Sequence, residues 1–553
     1  MTDPGSTTDK RRREFLKLSP IAIASAAAIG HNASAQSQRS SEAVAFNVRT
    51  YGAVGDGKTV DTPAINNAIE AVAAAGGGTL HFPAGTYVCF TIHLRSKVDL
   101  YLSQGCTILA ADSPKIGDTT GYNGGVYDAA EPNAWDAFQD YGHSHWQNSL
   151  LVGIGISEFS ISGPGLIHGK GLSRGSAPGQ VVAGYSYFVA EQAGVGNKAI
   201  ALKNCRNVTL RDFSVLKGGH FALLATGVDN LTIDNLRIDT DRDGLDIDCC
   251  RNVRVSNCTV NSPWDDAICP KSSYALGYAR ATENVTIADC FVTGAYQLGS
   301  VIAGTWNKFA ERAAPHNGRI KCGTESNGGF RNITIANCVI EGSKGIALES
   351  ADGAIIEDIA ISNITMRDIV DAPLFLRLSR RNRGPKEIMR AGSFKRVLIS
   401  NIASSNARAL TASVLAGIPE GAINDIKIAD CYLQHRGLEP SSDPSKPSPD
   451  WRTRQVPELE EAYPDLNRFG QTSSHGFFIR HLKQLEMSHV EIAPLHPDPR
   501  PAFWLEDVQR ADFFAITAPQ QPNFALRNVS DLRILWSRAA RDLSVQHVAE
   551  QTI

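Results

Sequence analysis

The sequence lacks several features that would place it in a specialised class. Only 4 of its 553 residues are methionine and aromatic residues make up 7% of the chain. Its 54 lysines and arginines are nearly balanced by 57 acidic residues, which leaves a formal net charge of −3. Without a basic excess, we do not expect a general nucleic-acid-binding role. Glycine is abundant instead, at 48 residues, and it accompanies many short β-branched runs, which favours a strand-rich and turn-rich fold.

The cysteines show no Cys-x-x-Cys or Cys/His spacing of the kind that binds zinc. There are 11 of them, an odd number that cannot pair completely. Most lie at the ends of short apolar segments, as in Asn257-Cys258-Thr259-Val260, where cysteine behaves as a small buried apolar residue. We therefore predict core positions for most of them, together with one or two disulfides.

The first 35 residues resemble an export signal. Arg12-Arg13-Glu14-Phe15-Leu16-Lys17 precedes a ten-residue apolar run that is too short to span a bilayer, and Ala33-Ser34-Ala35 has the pattern of a cleavage site. Paired arginines followed by Phe-Leu-Lys resemble a twin-arginine signal. We therefore expect a bacterial protein that is periplasmic or secreted. No later segment is long and apolar enough for a transmembrane helix, so no membrane association is expected after signal removal.

A short phrase with Asn or Asp before alternating apolar residues recurs along the chain. Val208, Leu231 and Val253 follow one another at steps of 23 and 22 residues, and the later steps are longer. Short strands at such a step indicate a solenoid, and alternating strands with asparagine turns predict a right-handed parallel β-helix. A β-sandwich of hairpins would require tight-turn pairs that are scarce here.

The domain prediction is one β-helix over residues 36–553, with loop insertions at about 112–150, 275–318 and 436–475. A solenoid needs capped ends, because open sheet edges pair with other chains. Asp61-Thr62-Pro63 predicts a helix start with a capping residue and an early proline, and residues 64–75 place Ile65, Ala68, Ile69 and Val72 on one face.

Carboxylates concentrate in one part of the repeat. Asp239, Asp241, Asp243, Asp246 and Asp248 are followed one coil later by Asp265-Asp266. Residues one coil apart stack at about 4.8 Å, so Asp243 should lie beside Asp265 and Asp266. Such close carboxylates repel, and at least one should hold a proton, as glycosidic bond hydrolysis requires. Asp239, Asp246 and Asp248 fit turn capping better. The segment also copies the start of an EF-hand loop, but it lacks the glutamate at position twelve and the flanking helices, so no metal is expected.

Three segments resemble the family 28 glycoside hydrolases, the polygalacturonase family of pectin-degrading β-helices. They are Tyr51-Gly52-Ala53-Val54-Gly55-Asp56-Gly57, Phe82-Pro83-Ala84-Gly85-Thr86-Tyr87 and the coils around Asp265-Asp266. The similarity covers about residues 46–400. It implies that Asp265 is the general acid, that Asp243 and Asp266 activate the water of an inverting displacement, and that no cofactor is needed. Inversion generally requires acid and base to lie roughly 6.5–9.5 Å apart.

The sequence departs from this family in its sugar-recognition motifs. The Gly-His-Gly segment is missing where the chain has Gly294-Ala295-Tyr296-Gln297, and His220, about one coil before Asp243, is a candidate replacement. Glu349 stands where the family's Arg-Ile-Lys segment has lysine, and there it would repel a uronate carboxylate. Arg319-Ile320-Lys321 occurs one coil earlier. The predicted substrate-binding residues are His220, Lys271, Tyr296, Arg319, Lys321, Glu325 and Glu349.

We therefore predict an exported glycoside hydrolase acting on a pectin-related or other plant-wall glycan, with better activity on neutral or branched substrates than on unsubstituted polygalacturonate. One alternative is a polysaccharide lyase on the same fold, which would need a basic residue to take a proton and often calcium. The other is a non-catalytic carbohydrate-binding β-helix, which has no use for stacked like charges that cost stability.

Overall fold

The computed structural model describes residues 46–175, 188–310, 316–408, 411–438, 450–519 and 522–553. The predicted export signal over residues 1–35 lies outside them. In the described part of the chain, no helix has both the length and the apolar character needed to cross a membrane.

Strands dominate the described residues, and helices are few. The helices are α1 (Thr62–Ala74) and the single turn α2 (Tyr141–Ser144), with 3₁₀ turns at Val48–Tyr51, Tyr122–Gly124, Asp136–Phe138, Lys386–Ile388 and Leu466–Phe469. The strands of the first half are β1 (Phe46–Asn47), β2 (Asp56–Val60), β3 (Gly78–Phe82), β4 (Gly85–Cys89), β5 (Ile92–His93), β6 (Val98–Leu102), β7 (Cys106–Ala110), β8 (Ser149–Ile154), β9 (Ser157–Ser162), β10 (Leu166–His168), β11 (Lys198–Lys203), β12 (Arg206–Arg211), β13 (Ser214–Leu216), β14 (Phe221–Thr226), β15 (Asp229–Asp234), β16 (Arg237–Asp239), β17 (Asp243–Asp248), β18 (Arg251–Ser256) and β19 (Thr259–Asn261).

The second half continues the same pattern and ends in longer strands. They are β20 (Ile268–Lys271), β21 (Thr282–Ala288), β22 (Phe291–Thr293), β23 (Ile320–Cys322), β24 (Phe330–Ala336), β25 (Val339–Glu341), β26 (Ile346–Ser350), β27 (Ile355–Arg367), β28 (Leu374–Leu378), β29 (Ser393–Ala407), β30 (Ser413–Ala416), β31 (Ile426–His435), β32 (Phe477–Leu482), β33 (Leu485–Pro494), β34 (Phe503–Val508), β35 (Ala511–Phe514), β36 (Phe524–Leu535) and β37 (Leu543–Thr552).

Every strand from β1 to β36 pairs in parallel with a strand of a neighbouring coil, which confirms the predicted parallel β-helix. Along one corner, the partners run Val208, Leu231, Val253, Val285 and Ile333 on β12, β15, β18, β21 and β24. All five side chains are buried in one continuous apolar core. Burying an aliphatic side chain of this size contributes about 1.5–3 kcal/mol, so the repeated apolar positions supply most of the driving force.

An asparagine near the start of each of these strands forms a ladder on the outside of the same corner. The side-chain amide of Asn230 donates to Asn207 at 2.9 Å, that of Asn252 to Asn230 at 3.1 Å, that of Asn284 to Asn252 at 3.0 Å and that of Asn332 to Asn284 at 2.8 Å. All five have φ between 52° and 59°. Asparagine tolerates this left-handed conformation better than most residues, which explains why the repeat begins with it.

The two ends of the described β-helix are closed differently. At the first coils, α1 buries the predicted face of Ile65, Ala68, Ile69 and Val72. The capping prediction for Asp61 is wrong: its carboxylate accepts from the backbone N–H groups of Val54 at 2.7 Å and Gly55 at 3.0 Å and makes no helix-cap bond. At the last coils, β37 pairs antiparallel with β36, so the ladder of the final coil is covered by the chain itself.

The observed loops differ from the predicted insertions in two places. Residues 275–318 are not one insertion, because they contain β21 and β22, and the long loop there runs only between β22 and β23. A second long connection, between β10 and β11, was not predicted; its described residues are 169–175 and 188–197. The chain between β31 and β32 packs its described residues Trp451, Leu466 and Phe469 against an apolar strip on the outside of the sheet.

The cysteine prediction is half right. All 11 cysteines lie in the described part of the chain and all are buried, but none is in a disulfide. The expectation of one or two disulfides is therefore wrong. Cys258, Cys290 and Cys338 occupy equivalent positions just before β19, β22 and β25, where sulfur fills the narrow space at a turn of each coil.

Candidate active site

The structure brings the three predicted catalytic aspartates together. Asp243 begins β17, and Asp265 and Asp266 lie in the turn before β20, its parallel neighbour. One carboxylate oxygen from each lies within 4.8 Å of the other two. The backbone N–H of Asp266 donates to Asp243 Oδ1 at 3.2 Å and to Asp265 Oδ1 at 3.1 Å. The one-coil spacing in the sequence thus produced the predicted cluster.

Asp266 is held between two cations from the following coil. Arg319 Nε lies 2.6 Å from Asp266 Oδ1, and the Lys321 ammonium contacts the other oxygen. All three side chains are buried. Burial by itself raises the pKa of the Asp266 carboxyl, but the charges of Arg319, Lys321 and Lys271 outweigh it and hold that pKa well below its usual range. Arg319 and Lys321 are therefore at the site, as predicted, and they hold a carboxylate of the protein.

Asp265 is the most open of the three, with 24% of its side chain exposed. Arg242 Nε lies 2.9 Å from Asp265 Oδ2. Burial acts to raise the pKa of Asp265, but the Arg242 charge outweighs it and the net shift is downward. Asp265 is thus ionised in the unliganded site.

His220 does not replace the missing histidine by contacting the aspartates. Its Nε2 lies 3.1 Å from Arg242 Nη2, and its ring stacks on Phe221 at a centroid distance of 4.3 Å. Burial, with Arg242 beside it, lowers the pKa of His220 well below its usual value, so the imidazole is neutral and accepts from the guanidinium. His220 therefore positions Arg242, which in turn fixes Asp265.

Asp243 is the member of the cluster whose surroundings favour the protonated form. Its side chain is buried, and burial, followed by the charges of Asp246 and Asp265, raises the pKa of Asp243 well above its usual value. Lys271 Nζ, at 3.8 Å, opposes this shift without reversing it. The sequence predicted that at least one carboxyl would have a raised pKa, and the surroundings produce that shift at Asp243, whereas the resemblance assigns the role of general acid to Asp265.

A buried ionic network lies beside Asp243. Lys271 Nζ is 3.0 Å from Glu325 Oε2 and 3.7 Å from Asp246 Oδ2, while His143 Nε2 is 3.5 Å from Asp246 and 3.7 Å from Glu325. Burial acts to raise the pKa of Glu325, yet the charge of Lys271 and other cations lowers it well below its usual range. Lys271 and Glu325 are thus at the site as predicted. Asp246, expected to cap a turn, belongs to this network instead.

The structure does not support the predicted sugar contacts of Glu349 and Tyr296. Glu349 is 0% exposed, and its carboxylate lies 3.6 Å from Arg319 Nη1 and accepts from Thr324 Oγ1 at 2.8 Å. It therefore acts on Arg319 and does not face a sugar. Tyr296 packs its ring against Trp306 at 5.1 Å, and its hydroxyl donates to Glu341 Oε2 at 2.7 Å. Its polar group is already engaged, which does not support sugar binding.

Sequence reasoning missed Tyr463, which reaches the site from the chain between β31 and β32. Its hydroxyl lies 3.0 Å from Thr324 Oγ1, and 38% of the residue is exposed. Tyr463 therefore stands at an accessible edge of the site, beside Glu349 and its cations. No coil spacing links it to the aspartates, and the only signal in the sequence was the length of the insertion that carries it.

The clustered carboxylates of the site already have cationic partners of the protein's own. Among the described residues, two groups of side chains have the geometry to hold a metal ion: the three aspartates, and His143 with Asp243 and Asp246. In both, ammonium or guanidinium groups already lie against the carboxylates. The EF-hand-like positions are also engaged, because Asp239 accepts from the backbone N–H of Gly299 at 2.8 Å and Asp241 accepts from Arg174 Nε at 2.6 Å.

The fold is a parallel β-helix, and its clustered carboxylates are the groups that a glycoside hydrolase uses. Comparisons with known proteins support this class. Residues 134–312 match the family described as Glycosyl hydrolases family 28, and residues 45–124 match a family described as Rhamnogalacturonase A/epimerase, pectate lyase-like. The first match includes all three aspartates, so the part of the chain that carries the candidate site is similar to the family 28 glycosyl hydrolases.

Individual relatives are more distant. The chain is 22% identical over 336 residues to a probable polygalacturonase of Vitis vinifera, covering 57% of this chain and 60% of that protein. It is 33% identical over 166 residues to the exo-poly-alpha-D-galacturonosidase of Dickeya chrysanthemi, covering 29% and 25%. The family 28 exopolygalacturonase structure of Yersinia enterocolitica superposes with a TM-score of 0.57 at 16% identity, covering 86% of this chain and 79% of that one. The chain thus spans from a quarter to three fifths of these two curated relatives, and the structural likeness shows the fold.

Proposed function

We propose that this protein hydrolyses glycosidic bonds of a pectin-related polysaccharide or oligosaccharide, and that it does so after export. One observation carries the proposal. Three carboxyl groups meet within 4.8 Å, and their surroundings raise the pKa of Asp243 while lowering those of Asp265 and Asp266. Carboxyl groups whose pKa values are pushed apart provide the acid and the base that glycosidic hydrolysis uses.

In the proposed mechanism, Asp243 and Asp265 act as a pair that holds one proton. The proton rests on Asp243, and Asp265, the exposed member, faces the leaving-group oxygen and delivers the proton as general acid. When a sugar displaces water from the site, the lower polarity favours the neutral form of Asp265 and draws the proton toward it. Asp266, kept ionised by Arg319 and Lys321, orients and deprotonates the attacking water, and Asp243 assists once it has lost its proton.

We propose an inverting outcome from the resemblance to family 28. The nearest carboxylate oxygens are closer than the roughly 6.5–9.5 Å at which inverting enzymes usually hold acid and base. The water would therefore enter beside Asp266 and Asp243 and not between acid and base. Proton NMR of the first-formed anomer tests this step: the anomer opposite in configuration to the substrate is expected, and retention would contradict it.

The ionic state of the site argues against a lyase. A lyase needs a neutral base to remove a proton from carbon. Burial acts to lower the pKa values of Lys271 and Lys321, but the neighbouring carboxylates raise both well above their usual values, so neither amine is free to accept a proton. The matched test is reducing-sugar release from a panel of pectic oligosaccharides, with ultraviolet absorbance recorded in parallel. Sugar release without an unsaturated product is expected; an unsaturated product would indicate a lyase, and no product at all would favour a non-catalytic binding protein.

Export by the twin-arginine route is the second part of the proposal, and it is supported by the arginine pair, the short apolar run and the Ala33-Ser34-Ala35 pattern. Replacing Arg12 and Arg13 with lysine should retain the precursor in the cytoplasm. Unchanged appearance of mature protein outside the cytoplasm would contradict this route.

A further inference from the structure

A second concave surface lies on the outside of the coils, on a different sheet face from the aspartates. This outer groove has a volume of about 450 Å³ and crosses β22, β25, β27, β29 and β31, whereas the candidate site lies on β17, β20 and β23. Along it runs a row of side chains that pair in register from coil to coil: Phe291, Val339, Thr365, Ala403 and Tyr432. The row spans four coil steps, or about 19 Å. The volume falls within the roughly 300–1,000 Å³ that is typical of ligand pockets.

Large apolar side chains are exposed along the outer groove. Val339 is 47% exposed and Tyr432 is 41% exposed. Trp306, also 41% exposed, packs edge-to-face against Phe291 at a ring-centroid distance of 5.7 Å, and so stands at the opposite end from Tyr432. Apolar groups that are gathered on one exposed surface mark binding sites, unlike those scattered singly. The outer groove is therefore a candidate binding surface that the mechanism at the aspartates does not use.

The loop that carries Trp306 is fixed in place on this face. The Asp239 carboxylate accepts from the backbone N–H of Gly299 at 2.8 Å, and Lys308 Nζ lies 2.7 Å from Glu341 Oε1. Trp306 has φ 50°, a left-handed conformation that is uncommon for a bulky residue. Such a conformation persists where the surrounding structure enforces it, and it is frequent in segments that hold ligands. These contacts keep the indole at the end of the outer groove.

One edge of the outer groove is polar, while its floor is apolar. Glu341, Arg367 and Ser405 line this edge and pair in register on successive coils. A pyranose ring has the same division, because its C–H groups form apolar faces and its hydroxyls form a polar rim. An extended glycan also repeats at a length close to the coil spacing of about 4.8 Å, so a chain laid along the solenoid places about one ring on each coil. The groove thus matches a glycan both in polarity and in repeat.

Protein occupants fit the outer groove less well. Eleven of the described residues line it, whereas a stable protein interface involves about 20–30 residues on each side. A peptide that extends a sheet needs a strand with an unpaired edge. Here β25 is bonded to β22 and β27, and β29 is bonded to β27 and β31, so these strands offer no such edge.

We propose that the outer groove binds a glycan chain without cleaving it, with sugar rings stacked on Trp306 and Tyr432 and sugar hydroxyls on the polar edge. The inference goes beyond the proposed function, because it assigns a second carbohydrate site. Glu341, the acidic residue among the eleven, is engaged by Lys308 and by the Tyr296 hydroxyl, so the groove has no free carboxyl pair for hydrolysis.

A glycan held in the outer groove stays close to the candidate active site. The loop between β22 and β23 carries Trp306 and also Gly318, whose backbone N–H donates to the Asp265 carbonyl at 2.9 Å. One loop therefore borders both the groove and the aspartates. Binding in the groove should raise the local concentration of a polymer at the aspartates and should have no such effect on an oligosaccharide too short to reach both.

The test is affinity electrophoresis of the full chain in gels that contain polygalacturonate, rhamnogalacturonan or linear galactan. At least one polysaccharide should retard the protein, and Trp306→Ala and Tyr432→Ala should each weaken that binding by about threefold or more. The controls are Trp536→Ala and Leu398→Ala, which remove apolar side chains that are 76% and 47% exposed outside the groove. Both controls should bind as the wild type does. No retardation by any polysaccharide, or an equal loss in the controls, would overturn the proposal.

A kinetic comparison separates the outer groove from the proposed hydrolase. Tyr432→Ala should raise KM for the bound polymer by about threefold or more, with kcat unchanged and with kcat/KM for a short oligosaccharide unchanged. An equal loss on polymer and oligosaccharide would contradict a separate site. Polymer binding that depends on Tyr432 in a protein that releases no sugar would retain the groove and reject the hydrolase. Hydrolysis with polymer binding that neither aromatic substitution changes would do the reverse.

Sedimentation velocity tests the other occupant, a second copy of the chain. The wild type and Tyr432→Ala should sediment as the same species at low and at high protein concentration. A dimer that Tyr432→Ala dissociates would overturn the glycan assignment and would make the outer groove an interface between copies.

Discussion

Two columns of stacked polar residues show what the same coil geometry does to neutral and to charged groups. Near the start of β12 and its equivalents, five asparagines stack, and the amides of the last four each donate to the asparagine of the preceding coil. At the start of β17 and before β20, aspartates stack instead and no neutral hydrogen-bond chain is possible. The neutral column stabilises the coil, whereas the charged one shifts pKa values apart and depends on Arg242, Arg319 and Lys321 for neutralisation. The same coil repeat thus stabilises the fold where asparagines stack and provides the ionisable groups of the site where aspartates stack.

The largest effect is expected from breaking the charged column at its exposed member. Asp265→Asn keeps the size of the side chain but cannot donate a proton to the leaving group. Turnover should fall by about 10²–10⁴-fold, the usual contribution of general acid catalysis. Reducing-sugar assays at substrate saturation measure this, with circular dichroism confirming the fold. A loss below about tenfold would be too small and would remove Asp265 from that role.

The next effect concerns the neutralising cations. Arg319→Met leaves Lys321 as the one ion-pair partner of the buried Asp266 carboxylate among the described residues, and breaking a buried ion pair typically costs about 3 kcal/mol or more. Urea unfolding should show this loss at pH 7. Adding Asp266→Asn to the variant should recover part of it, because the unpaired charge is removed; a further loss would contradict the assignment.

The same pair predicts a pH dependence of stability. Because the folded-state pKa of Asp266 is lowered, its contribution is present above the unfolded value near pH 4 and is lost as the pH falls through the folded pKa. Asp243, whose pKa is raised, has the opposite sign: its penalty is relieved as the pH falls toward the unfolded value. Asp243→Asn should therefore raise the free energy of unfolding at pH 7 relative to pH 4, and an equal change at both would contradict the raised pKa.

The neutral column should give a smaller and purely structural effect. Asn252 donates to Asn230, accepts from Asn284 and has φ 56°. Asn252→Ala should cost about 2 kcal/mol, through the two amide bonds and the left-handed backbone. Asn252→Gly relieves the backbone term and should cost about 1 kcal/mol. Thermal and urea unfolding separate the two variants, and kcat should not change; identical losses would remove the backbone part of the argument.

The smallest effect is expected at Glu349. Since this residue contacts Arg319 and Thr324, Glu349→Gln should change kcat/KM by less than about threefold and should not alter the preference between galacturonate and neutral pectic oligosaccharides. A reversal of that preference would show that Glu349 contacts the sugar after all.

The sequence predicted those features that depend on coil spacing. The asparagine phrases predicted the register of β12, β15 and β18, and the step to Asp265-Asp266 predicted which carboxylates would meet. Contacts between coils and long loops could not be predicted, because no periodicity links them. Tyr463 is one such case. The raised pKa of Asp243 is another, since it depends on burial and on which carboxylates Arg242, Arg319 and Lys321 reach. The stacking of like residues can be predicted from their spacing in the sequence. The charge balance of the site cannot, because it depends on side chains that only the folded structure brings together.

The buried thiols have a practical consequence. All 11 cysteines are single and buried, and all but Cys249 and Cys269 lie in the apolar core inside the coils. Because none of the 11 cysteines forms a disulfide, folding requires no oxidant and the chain can fold in a reducing compartment. Bacterial production should need neither an oxidising strain nor a disulfide isomerase, and reductant during purification should leave the protein unchanged. Reagents that modify thiols should react only as the coils open, which makes the cysteines a built-in probe of unfolding.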